Sequence, residues 1–389
     1  MAHPEFDAIV IGAGSVGNPT AYFLAREGFR VLVLDELSSS GQGQNKAAIG
    51  GVRATHSDPA KIQVARQSLD IFAHWKGLTG TDIGWKQGGY CFPAFDENVE
   101  STLRKLLPIQ KGYHLNIDWL SAEGIERVVP GINPNGLRGG TYSPEDGQVS
   151  PLRASESFTN EAVRLHAEYR YRESVLSFVM EDHTVTGVRT DREEYRAPIV
   201  INAAGAHASR ICRMAGLDFP VLPESHEAGI SAPVREFLDP LVVDLRPGPE
   251  GKTVNFYFGQ DSDGQIIFCY TPKVPFSGEN RTSTFEFMPI VAARLVNLIP
   301  RLKNLTIRRV WRGLYPMTPD GNPIVGKAPN MEGLLLGIGM CGQGFMLGPG
   351  VGMNLASLAT HGTPAVDPEV FDRWSPARDL HAGTKESLK

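Results

Sequence analysis

Short apolar runs punctuate an otherwise mixed pattern at Ala8-Ile9-Val10-Ile11, behind Arg30 in the segment Arg30 to Leu34, at Ile199-Val200-Ile201 and at Leu334 to Gly339. Runs of that length without alternation predict strands buried on both faces, as in a parallel sheet. Elsewhere the period lengthens. Ile62, Ala65, Leu69, Phe72 and Ala73 recur at three and four residues, which predicts an amphipathic helix over Pro59 to Trp75, opened by Asp58-Pro59. Further helices are expected over Val99 to Gly112, over Leu152 to Glu168 behind Ser150-Pro151, over Met288 to Leu298, and over a small-residue segment reaching Leu358. Strand-like alternation marks Trp85 to Phe92, and Val175 to Val179 with Thr184 to Thr190 predict a hairpin around Glu181-Asp182-His183. From about Gly216 to Asn304 short aromatic-rich strands, including Val254 to Phe258 and Gln265 to Tyr270, predict an antiparallel sheet. The segment from Thr363 to Lys389 has proline and charge without apolar period, and an extended or partly disordered end is expected there.

The first run leads directly into Gly12-Ala13-Gly14-Ser15-Val16-Gly17. In a strand, glycine turn and helix of this spacing, Gly12 allows the tight turn, Gly14 lets backbone approach a pyrophosphate, and Gly17 lets the helix pack on the strand. Free N–H groups at the helix start, around Ser15 and Val16, then face the phosphates. The second strand ends at Asp35, eighteen positions after Gly17. A carboxylate there suits a ribose diol and repels a 2′-phosphate, so the spacing predicts FAD or NAD rather than NADP. The small residues Ala203-Ala204-Gly205 end another buried strand and leave room for a cofactor beside them.

Composition narrows the partners. The chain has 389 residues, of which 41% are apolar and 21% charged, with a net charge of −5. That is ordinary for a globular enzyme and gives no general attraction to nucleic acid. Cys91, Cys212, Cys269 and Cys341 lie far apart without CxxC spacing, as reduced core thiols of a cytoplasmic protein do. The ten histidines show no metal spacing, and His56 and His226 read as structural or surface residues. The first apolar segment is only a strand long and lacks a basic leader, and no run reaches the roughly 18 apolar residues of a membrane span.

Taken together, the opening GAGSVG, Gly51-Val52-Arg53-Ala54, Pro144-Glu145-Asp146-Gly147, Asn202-Ala203-Ala204-Gly205, Trp311 to Asp320 and Cys341-Gly342-Gln343-Gly344-Phe345 resemble the D-amino-acid-oxidase-like FAD enzymes. Sarcosine oxidases and the beta subunit of dye-linked L-proline dehydrogenases are the most similar in appearance. The resemblance implies an α/β fold: a Rossmann-type FAD-binding domain interleaved with an α+β substrate domain on a mostly antiparallel sheet. The division expected is 1–80, 142–215 and 310–365 for FAD, 81–141 and 216–309 for substrate, and 366–389 as a tail. It implies oxidation of an amino acid or N-alkylated amino acid, proline- or sarcosine-like, by hydride transfer from the carbon next to nitrogen. Arg53 is then the substrate carboxylate clamp, with Tyr257 and Tyr315 walling the pocket. The cofactor set adds Glu36, Val175, Ala204, Gly205, Gly342, Gly344, Phe345 and Met346 to the glycine turn and Asp35. A helix starting at the 342–344 glycines aims N–H groups at the flavin edge that becomes negative on reduction.

Three departures qualify the resemblance. Met346 stands where sarcosine-specific members carry a lysine, in agreement with the proline dehydrogenases. Gly313 replaces the cysteine that tethers FAD in some members, so non-covalent FAD is expected. Oxygen-using members place a lysine over the flavin, and counting from the pocket tyrosine gives Phe268, with Lys273 five residues beyond. An oxygen-using sarcosine- or glycine-type oxidase, or a flavin electron-transfer subunit of a larger complex, are the rival readings, and an electron-acceptor protein or partner subunit is a possible companion of the substrate.

Overall fold

The structure, a computed structural model, describes residues 5–381 and 388. The chain opens with strand β1 (Ala8–Ile11), helix α1 (Gly17–Arg26) and strand β2 (Val31–Asp35), then passes through helix α2 (Pro59–Thr79) to strand β3 (Tyr90–Ala94). Asp58 caps α2 by accepting from Lys61 N, Pro59 occupies its first turn, and Gly80 ends it with a left-handed backbone. Helix α3 (Pro151–Arg164) leads to strands β4 (Glu168–Tyr171) and β5 (Ile199–Asn202). Strands β6 (Leu222–Pro233), β7 (Leu241–Asp244), β8 (Thr253–Gln260) and β9 (Gln265–Pro272) precede helix α4 (Phe287–Leu298). Strands β10 (Ile307–Met317), β11 (Ile324–Lys327) and β12 (Leu334–Ile338) and helix α5 (Gly344–His361) follow.

Two large sheets result. The first runs β11-β12-β5-β1-β2-β4, parallel except for β11. Its four inner strands, β12, β5, β1 and β2, are the apolar runs, and Ile9, Val10, Val33, Val200 and Leu336 are fully buried. Helices α1, α2, α3 and α5 cover one face, and the hairpin of Val175–Glu181 and Thr184–Thr190 covers the other. The second sheet has nine strands, with β6-β9-β8-β7-β3 at its centre and Gly139–Ser143 and Asp118–Leu120 beyond β3. It is antiparallel apart from the pairing of β7 with β3. The mixed α/β fold is the one implied by the resemblance.

Several expected boundaries are corrected. The helix over Leu152 to Glu168 stops at Arg164, because the chain reverses at His166 (φ 69°) and Glu168–Tyr171 joins the parallel sheet as its edge. Strand β10, which overlaps the start of the segment 310–365, pairs with β6 from Ile307 to Met317 in the large antiparallel sheet. The end expected to be extended instead docks up to His381. Phe371 and Trp374 are buried in the core under α2, Arg373 pairs with Asp58 at 3.1 Å, and Arg378 with Asp320 at 2.9 Å. Of that tail, residues 382–387 and 389 lie outside the described residues. Among the described residues no helix is long and apolar enough to cross a membrane.

Candidate active site

One cavity of about 1070 Å³ runs between the two sheets and reaches both motif clusters. At one end Gly12 turns with φ 107°, and a methyl group on it would lie 2.6 Å from Ala203 O. A methyl on Gly17 would lie 1.8 Å from Gly12 O, so this glycine is what lets α1 start against the turn; it does not line the cavity. Over Gly14, by contrast, nothing lies within 4 Å of the corresponding position. That opening, flanked by Ser15 and Val16 in the cavity wall, is the cradle a pyrophosphate needs. Asp35 ends β2 and accepts from Ala13 N at 2.7 Å and Leu37 N at 2.8 Å, while burial raises its pKa. Glu36 also lines the cavity, with its carboxylate paired to Arg210 at 2.7 Å. These residues fit the dinucleotide half of FAD.

Val175, Ala204 and Gly205 form the wall next to them. Asn202 shapes that wall by accepting from Ala204 N at 3.1 Å and donating to Ala208 O at 3.0 Å. Farther along, residues 42–49 form a loop to which β10 is fastened. Gln44 Oε1 accepts from Leu314 N at 2.8 Å and Trp311 Nε1 donates to Ala47 O at 2.9 Å. Neither Gln44 nor Ala47 carries a motif signal, and only the folded pairing reveals them. A methyl on Gly313 would sit 2.7 Å from Ala47 Cβ, so position 313 is closed to a tethering side chain unless this loop moves. Gly342 (φ 81°) packs against the Tyr315 ring, where a methyl group would approach to 2.4 Å. Gly344, Phe345 and Met346 start α5 in the cavity wall, and Phe345 stacks on Phe72 at 5.6 Å between centroids.

Arg53, Tyr257 and Tyr315 line the same cavity. Arg53 is 6% exposed, faces the Phe92 ring at 5.5 Å, and donates to Thr55 O and, at 2.6 Å, to Leu388 O. Its loop is fixed by Asp146, whose buried carboxylate accepts from Ala54 N at 2.9 Å and Thr55 Oγ1 at 3.3 Å. Burial pushes Asp146 up to about 7 against the opposing effects of these hydrogen bonds and of Arg53. The sequence marks the turn at 144–147 but not this role. Tyr257 and Tyr315 place their hydroxyls 3.1 Å apart, and burial raises both phenols well above their usual range. His226 is buried rather than superficial and stacks on Tyr315 at 3.8 Å between centroids.

Phe268 is a correction. It pairs with Phe258 on the far side of the sheet and is fully buried under α4, where it stacks on Phe287. The residue of β9 that faces the cavity beside Tyr257 is Cys269, and Lys273 also lies in the wall. All four cysteines are buried and outside any disulfide, as expected.

A model of the FAD dependent oxidoreductase family (DAO) matches residues 7–358. The chain belongs to this family. As a family member it uses FAD, consistent with the cradle over Gly14. Mitochondrial sarcosine dehydrogenase of Mus musculus is 25% identical over 94% of the chain, which spans only 41% of that relative's length. Glycine oxidase of Pseudomonas aeruginosa is 28% identical, over 93% of this chain and 97% of its own. Among solved structures, L-proline dehydrogenase from P. horikoshii superposes with a TM-score of 0.90 and 28% identity, over 97% of this chain and 99% of that one.

Proposed function

We propose that the chain oxidises an amino acid or N-alkylated amino acid, proline- or sarcosine-like, at the bond between nitrogen and the adjacent carbon. The observation that carries this reading is the single cavity joining the dinucleotide cradle to a buried arginine and a tyrosine pair. Bound FAD supplies a two-electron acceptor for the hydride. Arg53 holds the substrate carboxylate through its planar fork and so fixes which C–H bond faces the cofactor. Tyr257 and Tyr315 stay neutral because burial raises their phenols, and they exclude water while presenting hydroxyls to the substrate. The amine reacts unprotonated: its lone pair closes the C=N bond as hydride leaves, and the imine hydrolyses.

The closed position at Gly313 supports FAD held without a covalent link there, and the buried thiols, none in a disulfide, support a cytoplasmic location. The division into FAD-binding and substrate units, with β10 moved to the latter, belongs to the same proposal. The partner reading, an acceptor protein or second subunit, is supported by Leu222 and Val254, which line the cavity yet are 66% and 42% exposed. Mixing the protein anaerobically with a panel of amino acids tests the reading: loss of flavin colour with proline, sarcosine or another member is expected. A panel that leaves the colour intact while an external reductant bleaches it would favour an electron-transfer subunit.

A further inference from the structure

The wall beside Arg53 is apolar and holds a side chain of this same molecule. Leu388 is 1% exposed in a cluster with Tyr90, Phe92, Leu241 and Val243. Its carbonyl oxygen is the acceptor for Arg53 Nη2 at 2.6 Å. Tyr90, Leu241 and Val243 belong both to that cluster and to the cavity wall, and Tyr257 packs against the cluster from the site. Leu388 therefore sets a carbonyl oxygen on the guanidinium with an isobutyl group among apolar neighbours. Free leucine has the same connectivity: a carboxyl carbon, the α-carbon, then the isobutyl chain. Glycine and sarcosine have no group for such a wall, and a charged side chain would lose its hydration there.

We propose that this wall is a side-chain subsite, that the substrate is an amino acid with an apolar side chain of about leucine size, and that Leu388 competes for the place. The inference rests on Arg53 as the carboxylate clamp of the proposed function, and adds to it the chemistry of the group next to that carboxylate. Proline, with its apolar ring, falls nearer to this class than sarcosine does.

The test uses the full FAD-loaded chain and acids that cannot be oxidised, followed by the perturbation of the flavin spectrum. 4-Methylpentanoate, which is leucine without its amine, should bind about thirtyfold more tightly than acetate, the worth of burying an isobutyl group. Glutarate, of similar length but charged at its end, should gain nothing over acetate. Leu388→Gly should tighten acetate and 4-methylpentanoate by the same factor, since it removes the isobutyl group that holds the competing carbonyl in place, and their ratio should persist. A ratio below about threefold, equal binding of glutarate and 4-methylpentanoate, or no effect of Leu388→Gly on either acid would overturn the proposal. Arg53→Met separates the two levels. If it leaves acetate affinity intact, the carboxylate clamp itself is wrong, whatever the ratio between the acids.

Discussion

Arg53 carries a permanent charge into the interior, where its neighbours among the described residues are two carbonyl oxygens and an aromatic face rather than an ion-paired carboxylate. Such a charge is poised to gain from an anionic ligand, because the desolvation has already been met in folding. Arg53→Met should therefore weaken binding of 4-methylpentanoate by about 2–5 kcal/mol, the range for truncating one partner of a desolvated pair. FAD content should stay the same, since the contacts of Arg53 are with Thr55, Leu388 and Phe92 and not with the glycine turn. Asp146, behind that loop, has a distinct signature. Its folded pKa of about 7 lies above the ordinary 3.8, so the folded state binds the extra proton between those values. Its contribution to stability is thus greatest at low pH and declines as pH rises through that window. Relative to Asp146→Asn, which cannot titrate, the wild type should lose stability between about pH 4 and 7, and urea midpoints at each pH measure this. A difference independent of pH would show that Asp146 is not held as a buried carboxylic acid. Arg53 and Asp146 sit in motifs, and were legible as such. What Asp146 accepts from, and that Gln44 receives Leu314 N, depend on chain segments 92 and 270 residues away, which no local pattern encodes. Phe268 shows the limit of counting: a shift of one residue along a strand moves the side chain to the opposite face.

The helices and buried strands of the parallel sheet were legible because an uninterrupted apolar run suits a strand covered on both faces, and a three- and four-residue period suits one face of a helix. Strand β6 was not. Its sequence LPESHEAGISAP mixes proline, glycine and charge, and its buried Glu227 is satisfied by Thr284 and lies 3.8 Å from Arg312 on the neighbouring strand. Polar residues inside a sheet erase the apolar signal on which strand prediction rests. Helix α5 was recognised by its small residues, and the structure gives the reason for them: a methyl on Gly348 would lie 2.0 Å from Ser15 O and one on Gly352 2.6 Å from Thr20 N. The helix thus rests directly on the glycine turn and on α1. Gly348→Val should push it away from the cradle, lowering FAD affinity by at least about tenfold, in keeping with the usual cost of overpacking. Gly77→Ala in α2 is the matched control, because nothing lies within 4 Å of the added methyl. That variant should gain up to about 1 kcal/mol in helix propensity. Equal FAD affinity in both variants, measured by titrating the apoprotein, would show that α5 does not support the cradle.

At the scale of the molecule, the lining of the cavity bears on where electrons would go after the proposed oxidation. Of the lysines and arginines that line it among the described residues, Arg53 alone is buried; Lys46, Arg210, Lys273 and Arg281 are exposed. Arg210 is paired with Glu36, and an exposed ammonium is screened by water and salt. Beside Tyr257 the strand presents Cys269, whose thiol burial pushes up to about 12 and so keeps neutral. The reduction of oxygen begins with a developing superoxide anion, and a buried cation that stabilises such an anion is worth a few kcal/mol, or about a hundredfold in rate. Arg53 is the one buried cation in that wall among the described residues, and in the proposed reaction it is committed to the substrate carboxylate. Oxygen should therefore be a poor acceptor, while Leu222 and Val254 at the exposed wall offer an apolar approach to a quinone or a protein. Enzyme reduced anaerobically and mixed with a quinone analogue should be reoxidised far faster than in air-saturated buffer, and Lys273→Met should leave the oxygen rate unchanged. Reoxidation by oxygen that keeps pace with turnover, slowed at least tenfold by Lys273→Met, would make Lys273 the missing cation and the protein an oxidase.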